Sequence, residues 1–170
     1  MNIIETERLI LRQLRVDDAE DLFRIYSNPV TMKFMGGGPA SVEEMGRNIQ
    51  KHIETYYDKY GFGLWATILK ENDSLIGRCG LLYQEIDGTK DLEIAALIDC
   101  DYWGKGLVTE AMHSIVKDGF DKYKFDRIIA VIVPDNIGSI RVAEKIGMNY
   151  EREIESYKDF GAVSLYALNS

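Results

Sequence analysis

One run of this sequence brings together residue types that could do chemistry. It reads Leu92-Glu93-Ile94-Ala95-Ala96-Leu97-Ile98-Asp99, then Cys100-Asp101-Tyr102-Trp103-Gly104-Lys105-Gly106-Leu107-Val108-Thr109-Glu110-Ala111. A strand-like apolar stretch gives way to a loop with two glycines and then to a helix-like pattern. Successive backbone N–H groups at such a junction point into one small volume. With the positive end of the helix dipole they form an anion site. Gly104 and Gly106 lack a Cβ, so a phosphate can approach their backbone closely. The run is neither a P-loop nor a dinucleotide fingerprint, because Lys105 is not followed by Ser or Thr and GxGxxG is absent. A tight strand-to-helix turn accounts for the same glycines, and spacing alone does not separate the two readings.

The elements that must position this loop follow from periodicity and turn chemistry. Arg8 to Leu14 alternates as a strand does. Asp17 then reads as an N-cap with Glu20 closing a capping box, and Ala19, Leu22, Phe23 and Tyr26 share a helical face. After Gly36-Gly37-Gly38, Ser41 and Glu44 form a second capping box. It opens a long helix to about Tyr60, with the stripe Met45, Ile49, Ile53, Tyr56 and Tyr57. Leu64–Leu69 and Leu75–Tyr83 form a hairpin about Glu71-Asn72-Asp73-Ser74. Asp87-Gly88-Thr89-Lys90 turns into a strand from Leu92 to Asp99. A helix follows the glycine loop to about Lys122. Arg127–Val133 is apolar enough for a strand buried on both faces. A short helix ends at Gly147, placed as a C′ glycine. Two strands, Tyr150–Tyr157 and Val163–Leu168, flank Asp159-Phe160-Gly161. The order β, α, α, β, β, β, α, β, α, β, β predicts one mixed α/β, α+β-like domain over residues 1–170. An antiparallel meander feeds a β-α-β-α unit, and the alternation a doubly wound sheet needs is missing.

The bulk properties narrow the function. A chain of 170 residues, 46 % hydrophobic and 28 % charged, is an ordinary globular domain. No apolar run approaches the ~20 residues that span a bilayer, and the first eight residues do not read as a signal peptide, so the expected compartment is the cytoplasm. Cys79 and Cys100 form no CxxC pair, and His52 and His113 are isolated, so neither a disulfide nor a metal site is expected. The net charge of −8 disfavours nucleic acid and would favour a cationic substrate, although acidity for solubility alone gives the same number.

The stretch Tyr102-Trp103-Gly104-Lys105-Gly106-Leu107-Val108-Thr109-Glu110-Ala111 closely resembles the acetyl-CoA pyrophosphate loop of GNAT acetyltransferases. Val133-Pro134-Asp135-Asn136-Ile137-Gly138-Ser139-Ile140-Arg141-Val142-Ala143-Glu144-Lys145-Ile146-Gly147-Met148 is similar to that family's Asn-x-x-Ser…Glu-Lys-x-Gly-Phe segment. Glu7-Arg8-Leu9-Ile10-Leu11-Arg12 resembles the opening strand of the branch that acetylates ribosomal-protein N-termini. The resemblance covers nearly the whole chain. It implies a mostly antiparallel mixed sheet with flanking helices, splayed between its fourth and fifth strands, with acetyl-CoA as co-substrate and no metal. The pantetheine arm would pair with the backbone of Leu97, Ile98 and Asp99. The pyrophosphate would sit on the N–H groups of Gly104, Lys105, Gly106, Leu107, Val108 and Thr109. Asn136 would bond the arm, and Ser139 would lie near the sulfur. Three positions depart from the family's pattern: Trp103 is apolar where Arg or Gln is usual, Val108 is bulkier than Gly or Ala, and Ala143 replaces a Tyr that can protonate the leaving thiolate.

The implied reaction is direct attack of an amine on the thioester. Glu93, an acid in an apolar strand, is the candidate base; desolvation would raise its pKa. An exposed Glu, or one paired with Arg78, is the alternative. A backbone N–H near Leu97 or Ile98 would stabilise the oxyanion. Ser139 is the candidate thiolate acid, with simple helix capping as the alternative. Trp65, Tyr83 and Tyr157 are candidates for the acceptor side, or else packing residues, and the 41–60 helix with the 36–38 loop would cover the acceptor groove. The expected partner is an amine-bearing acceptor. A peptide or ribosomal-protein N-terminus is one form of it, and a polyamine or aminoglycoside another. Neither nucleic acid nor membrane is expected, and homodimerisation is open. A non-catalytic acyl-CoA-binding regulator is the reading from a different class, and Ala143 is what favours it.

Overall fold

The computed structural model describes residues 2–170. Its strands are β1 (Asn2–Glu5), β2 (Leu9–Gln13), β3 (Leu64–Leu69), β4 (Ser74–Ile86), β5 (Thr89–Ile98), β6 (Arg127–Ile132), β7 (Asn149–Ile154) and β8 (Val163–Asn169). They form one sheet in the order β1-β2-β3-β4-β5-β6-β8-β7. Every neighbouring pair is antiparallel except β5 and β6, which touch in parallel at the single register Glu93↔Ile129. The sheet therefore opens beyond Glu93. The splay lies between the expected fourth and fifth strands, which are the fifth and sixth because of β1. That strand is absent from the sequence reading. Four residues give too little alternation to read, and its pairing with β2 is what makes it a strand.

The helices are α1 (Ala19–Tyr26), α2 (Val42–His52), α3 (Asp58–Tyr60), α4 (Leu107–Asp121) and α5 (Ile137–Lys145). Strand alternation puts Arg78 and Leu81 of β4 on opposite faces. Arg78 meets Tyr26 of α1, and Leu81 lies with Ile128 beneath Gly119 of α4. So α1 and α2 cover one face and α4 the other. The core joins both layers through fully buried Leu9, Leu22, Ile76, Leu81, Ile115 and Ile128. A second cluster of Ile86, Ile129, Ile154, Val163, Leu165 and Ala167 lies on the β6–β8 side.

Local chemistry explains most boundaries. The β4–β5 hairpin turns on Asp87 (φ 48°) and Gly88 (φ 77°), a pair that matches the twist of a two-residue hairpin. The Ser41 hydroxyl accepts from Glu44 N–H at 3.1 Å, while the Glu44 carboxylate reaches back to the N–H of Ala40 at 2.7 Å. That is one residue earlier than a capping box requires. At α1 the expected Asp17–Glu20 box does not form. Asp18 accepts from Arg15 N–H at 2.8 Å and from the Arg12 guanidinium at 2.7 and 2.8 Å, and a 3₁₀ turn at Val16–Asp18 leads into the helix. The long 41–60 helix is interrupted by a π turn at Ile53–Tyr57. The Tyr57 hydroxyl accepts from Leu14 N–H at 3.0 Å and donates to the Leu64 carbonyl. These two bonds fasten the widened turn to β3 and to the residue that follows β2.

Candidate active site

The glycine loop is built to expose backbone donors. Gly104 (φ 74°) and Gly106 (φ 76°) both take the left-handed conformation, and a Cβ on Gly104 would meet nothing within 4 Å. Gly106 is the N-cap of α4 and supplies no side-chain acceptor. The first intrahelical bond, Glu110 N–H to Gly106 carbonyl at 3.0 Å, leaves the N–H groups of Leu107, Val108 and Thr109 ahead of it. A helix N-terminus without a cap behind a pair of left-handed glycines is an anion cradle.

The Trp103 and Val108 departures now have a physical account. The Trp103 indole N–H donates to the Ile98 carbonyl at 2.8 Å, so the side chain braces the loop against the end of β5. Val108 is half-buried at the second position of α4 and packs on the core. Sequence reading missed a second brace. The Arg8 guanidinium bonds the Lys105 carbonyl at 2.8 Å and Glu110 at 2.7 Å, and Glu110 also accepts from Thr6 at 2.6 Å and from Arg8 N–H at 2.9 Å. Burial opposes ionisation of Glu110, but the bonds from Thr6 and Arg8 outweigh it and hold the carboxyl below its ordinary value.

The register of β5 corrects the expected backbone partners. Asp99 N–H bonds the Ile76 carbonyl at 2.8 Å, which fixes the side to which that residue turns. Backbone groups alternate sides along a strand, so Leu97 and Asp99 both face β4. Ala96 and Ile98 are the residues whose N–H groups face the opening. Leu97 therefore cannot supply the oxyanion donor. The Asp99 carboxylate is buried too, paired with Arg24 at 3.1 Å and accepting from Asp101 N–H at 3.2 Å. Asp99, Cys100 and Asp101 could together face a metal ion. Asn28 also bonds the Cys100 sulfur at 3.3 Å, so Asp99 and Cys100 already have protein partners, and among the described residues the Asp101 carboxylate meets only the Cys100 sulfur, at 4.0 Å.

Glu93 sits where β5 and β6 part. It keeps a strip of accessible surface, yet protein packs around most of its carboxyl. That burial pushes its pKa up to about 7, against the opposing pull of Lys158, Gln84, the Val131 backbone and Arg78. No ion pair joins it to Arg78 among the described residues. Burial and the Glu93 charge raise the Tyr157 phenol to about 12, so Tyr157 lies in the same electrostatic neighbourhood. Tyr83 does not. It projects from the opposite face of β4, with its ring 5.0 Å from Tyr60, 5.5 Å from Phe62 and 3.9 Å from the Lys90 ammonium. Trp65 is wholly buried, its indole N–H unpaired among the described residues, and it presents no surface to a ligand.

Beyond β6, the Asn136 side-chain oxygen accepts from Ser139 N–H at 3.2 Å, so Asn136 caps α5, and its amide N–H₂ has no protein partner among the described residues. The capping alternative for Ser139 therefore falls away. Its hydroxyl is half-buried and has no protein partner among the described residues, and Ala143 one turn on is buried.

Comparison with known proteins identifies the family. Residues 8–149 match the acetyltransferase (GNAT) domain. The probable N-acetyltransferase YjcK of Bacillus subtilis is 37 % identical over 157 residues, covering 88 % of this chain and 84 % of that one. A GNAT-family acetyltransferase from Bacillus anthracis superposes with a TM-score of 0.79 at 28 % identity, over 98 % of this chain and 97 % of that one. The ribosomal-protein-S5-alanine acetyltransferase of Vibrio fischeri shares the fold, with a TM-score of 0.82 at 18 % identity over 98 % and 95 % of the two chains. The chain belongs to the GNAT acetyltransferases.

Proposed function

We propose that this protein transfers the acetyl group of acetyl-CoA directly to a primary amine, and that the acceptor is the N-terminal amine of a protein or peptide. The observation that carries the reading is Glu93, a carboxyl held near pKa 7 by burial at the point where the sheet opens. A base is most effective when its pKa lies near the working pH. Family membership and the open cradle at residues 104–109 support acetyl-CoA as the donor, with its pyrophosphate on those N–H groups. Ala96 and Ile98 supply the edge for the pantetheine arm.

In this mechanism Glu93 takes a proton from the acceptor ammonium. The neutral nitrogen attacks the thioester carbonyl, and a β5 N–H facing the opening, at Ala96 or Ile98, bonds the developing oxyanion. The C–S bond then breaks as the C–N bond stands, and the second proton of the attacking nitrogen is relayed through the Ser139 hydroxyl to the departing sulfur, so that coenzyme A leaves as a thiol and Ser139 is unchanged. Asn136, through its free amide, steadies the cofactor arm beside it. A polyamine or aminoglycoside is the competing acceptor, favoured by the net charge of −8.

The test combines two measurements. Calorimetry should show acetyl-CoA binding, and thiol release should follow addition of short peptides with free N-termini but not of the same peptides blocked at the amine. Binding without thiol release on any amine would establish the regulator reading instead, and preferential turnover of polyamines would replace the peptide acceptor.

A further inference from the structure

The sheet face that carries Glu93 also carries Arg78, and acetyl transfer as described leaves Arg78 without a task. Leu82 lies opposite Glu93, and Arg78 is four residues further along β4. That places the two roughly 13 Å apart along one face, at ~3.3 Å per residue. The Arg78 guanidinium is half-buried. Its Nε donates to the Tyr26 hydroxyl, and its Cζ stands 5.5 Å from the centre of the Tyr26 ring. Among the described residues it has no carboxylate partner. The other half-buried arginines are both paired, Arg12 with Asp18 and Arg127 with Asp91 and Glu151. Burying a cation without a counter-charge is costly, so the exception at Arg78 points to a ligand.

A cleft of about 160 Å³ opens beside it between α1, α2 and β4, lined by Tyr26, Met45, Asn48, Ile49 and His52 among others. No aspartate or glutamate lines this cleft. His52 accepts from Leu64 N–H at 2.9 Å through Nε2 and stays neutral, because burial and the Arg78 charge lower its pKa to about 4. The space equals about five waters, at ~30 Å³ each, which suits a small headgroup. The 36–38 loop links the cleft to the Glu93 end. A Cβ on Gly38 would lie 2.8 Å from the Tyr26 ring, and one on Gly36 would lie 3.0 Å from the Phe160 ring. Phe160 in turn stacks on Tyr157, with centroids 6.4 Å apart.

Resting on the acetyl-transfer reading, we propose that Arg78 and this cleft bind an oxyanion carried by the acceptor itself, so that the acceptor is a primary amine bearing a carboxylate or phosphate and not a polycation. A guanidinium fork bonds such a group through two parallel N–H donors. The spacing to Glu93 fits an amine and an anion within one short acceptor, such as a peptide N-terminus with an acidic residue in its first positions.

Matched acceptors test this. Short peptides with Asp or Glu in the first two positions are compared with their Asn and Gln counterparts, free amino acids with their amides, and phosphoserine with serine. In the wild type, kcat/KM for the anionic member should exceed that of its neutral match by about ten- to hundredfold, the scale of a charge-assisted hydrogen bond. The peptide, amino-acid and phosphate arms identify which source is used. In Arg78→Gln the ratio should fall to near one, while the affinity for acetyl-CoA, measured by calorimetry, is retained. Equal turnover of both members in the wild type, or an unchanged ratio in Arg78→Gln, overturns the assignment and leaves the acetyltransferase reading standing. Acetyl-CoA binding with no transfer to either member of any pair overturns both.

Discussion

Glu93→Gln should slow the enzyme and stabilise it at once. The Glu93 carboxyl is held at about 7 against an ordinary value of 4.5, chiefly by burial. That shift corresponds to about 3 kcal/mol of preference for the neutral form. Below pH 4.5 the group is protonated in both folded and unfolded chains and contributes nothing. Between pH 4.5 and 7 the unfolded chain releases a proton that the folded protein retains, so stability falls as pH rises. Above pH 7 the full cost of a buried carboxylate remains. Gln has the same shape and no charge, so the variant should be more stable than the wild type at pH 8, by roughly 1–3 kcal/mol after local relaxation, which for a chain of this size is on the order of 5 °C in Tm. The gap should narrow as the pH is lowered to 5.5. The same substitution should lower kcat by ~10²-fold or more, the scale for removing a general base. It should also abolish the acid limb of the kcat profile near pH 7, leaving only ionisation of the amine. Scanning calorimetry and steady-state kinetics from pH 5.5 to 9 measure both effects. A Tm gap that does not change with pH, or a variant as fast as the wild type with the same profile, would refute the placement of Glu93 as a buried base.

Four further substitutions probe the cofactor side. Gly106→Ala forces a left-handed residue with a side chain and should cost about 1 kcal/mol, with acetyl-CoA affinity falling several-fold by calorimetry; unchanged affinity would remove the cradle from the binding site. Arg8→Ala removes the brace on the Lys105 carbonyl, and because the Arg8–Glu110 pair is partly exposed it should change Tm little, by less than ~1 kcal/mol, while weakening acetyl-CoA binding; a large loss of stability with normal binding would make the brace purely structural. Asn136→Ala and Ser139→Ala should separate cleanly: the first loses a cap worth about 1 kcal/mol, and the second should lower kcat more than it raises the KM for acetyl-CoA with Tm nearly constant.

How much of this was legible in the sequence depended on how far apart the responsible residues lie. The β4–β5 hairpin and the end of α5 could be read locally, because Asp87-Gly88 and Gly147 adopt the positive φ values that their residue types favour. The glycine loop was legible for the same reason. Its braces were not. Thr6 and Arg8 reach Glu110 and Lys105 across about a hundred residues of chain, and no periodicity records such a contact. The Asp17–Glu20 box failed because Arg12, on a neighbouring strand, engages Asp18 bidentately. The stripe from Met45 to Tyr57 suggested an unbroken helix, whereas the Tyr57 hydroxyl bonds to Leu14 and to Leu64 of β3 accompany a π turn.

Strand phase was the costliest blind spot. An apolar strand reads alike whichever edge is free, so Leu97, Ile98 and Asp99 were indistinguishable as partners for an incoming chain. The bond from Asp99 N–H to the Ile76 carbonyl settles the phase of β5, and the Trp103 indole on the Ile98 carbonyl agrees with it. Two consequences follow from that alternation. The residues offering backbone N–H groups to the opening are Ala96 and Ile98, whose side chains leave on the α4 face, and the side chains of Glu93 and Leu97 leave on the opposite face, where α1 and α2 stand. On the proposed reading, backbone recognition of the donor and side-chain recognition of the acceptor would be separated by the pleat of a single strand. If that reading holds, substitutions at Arg78, Tyr26 or the 36–38 loop should change acceptor preference while leaving acetyl-CoA affinity, measured by calorimetry, unchanged.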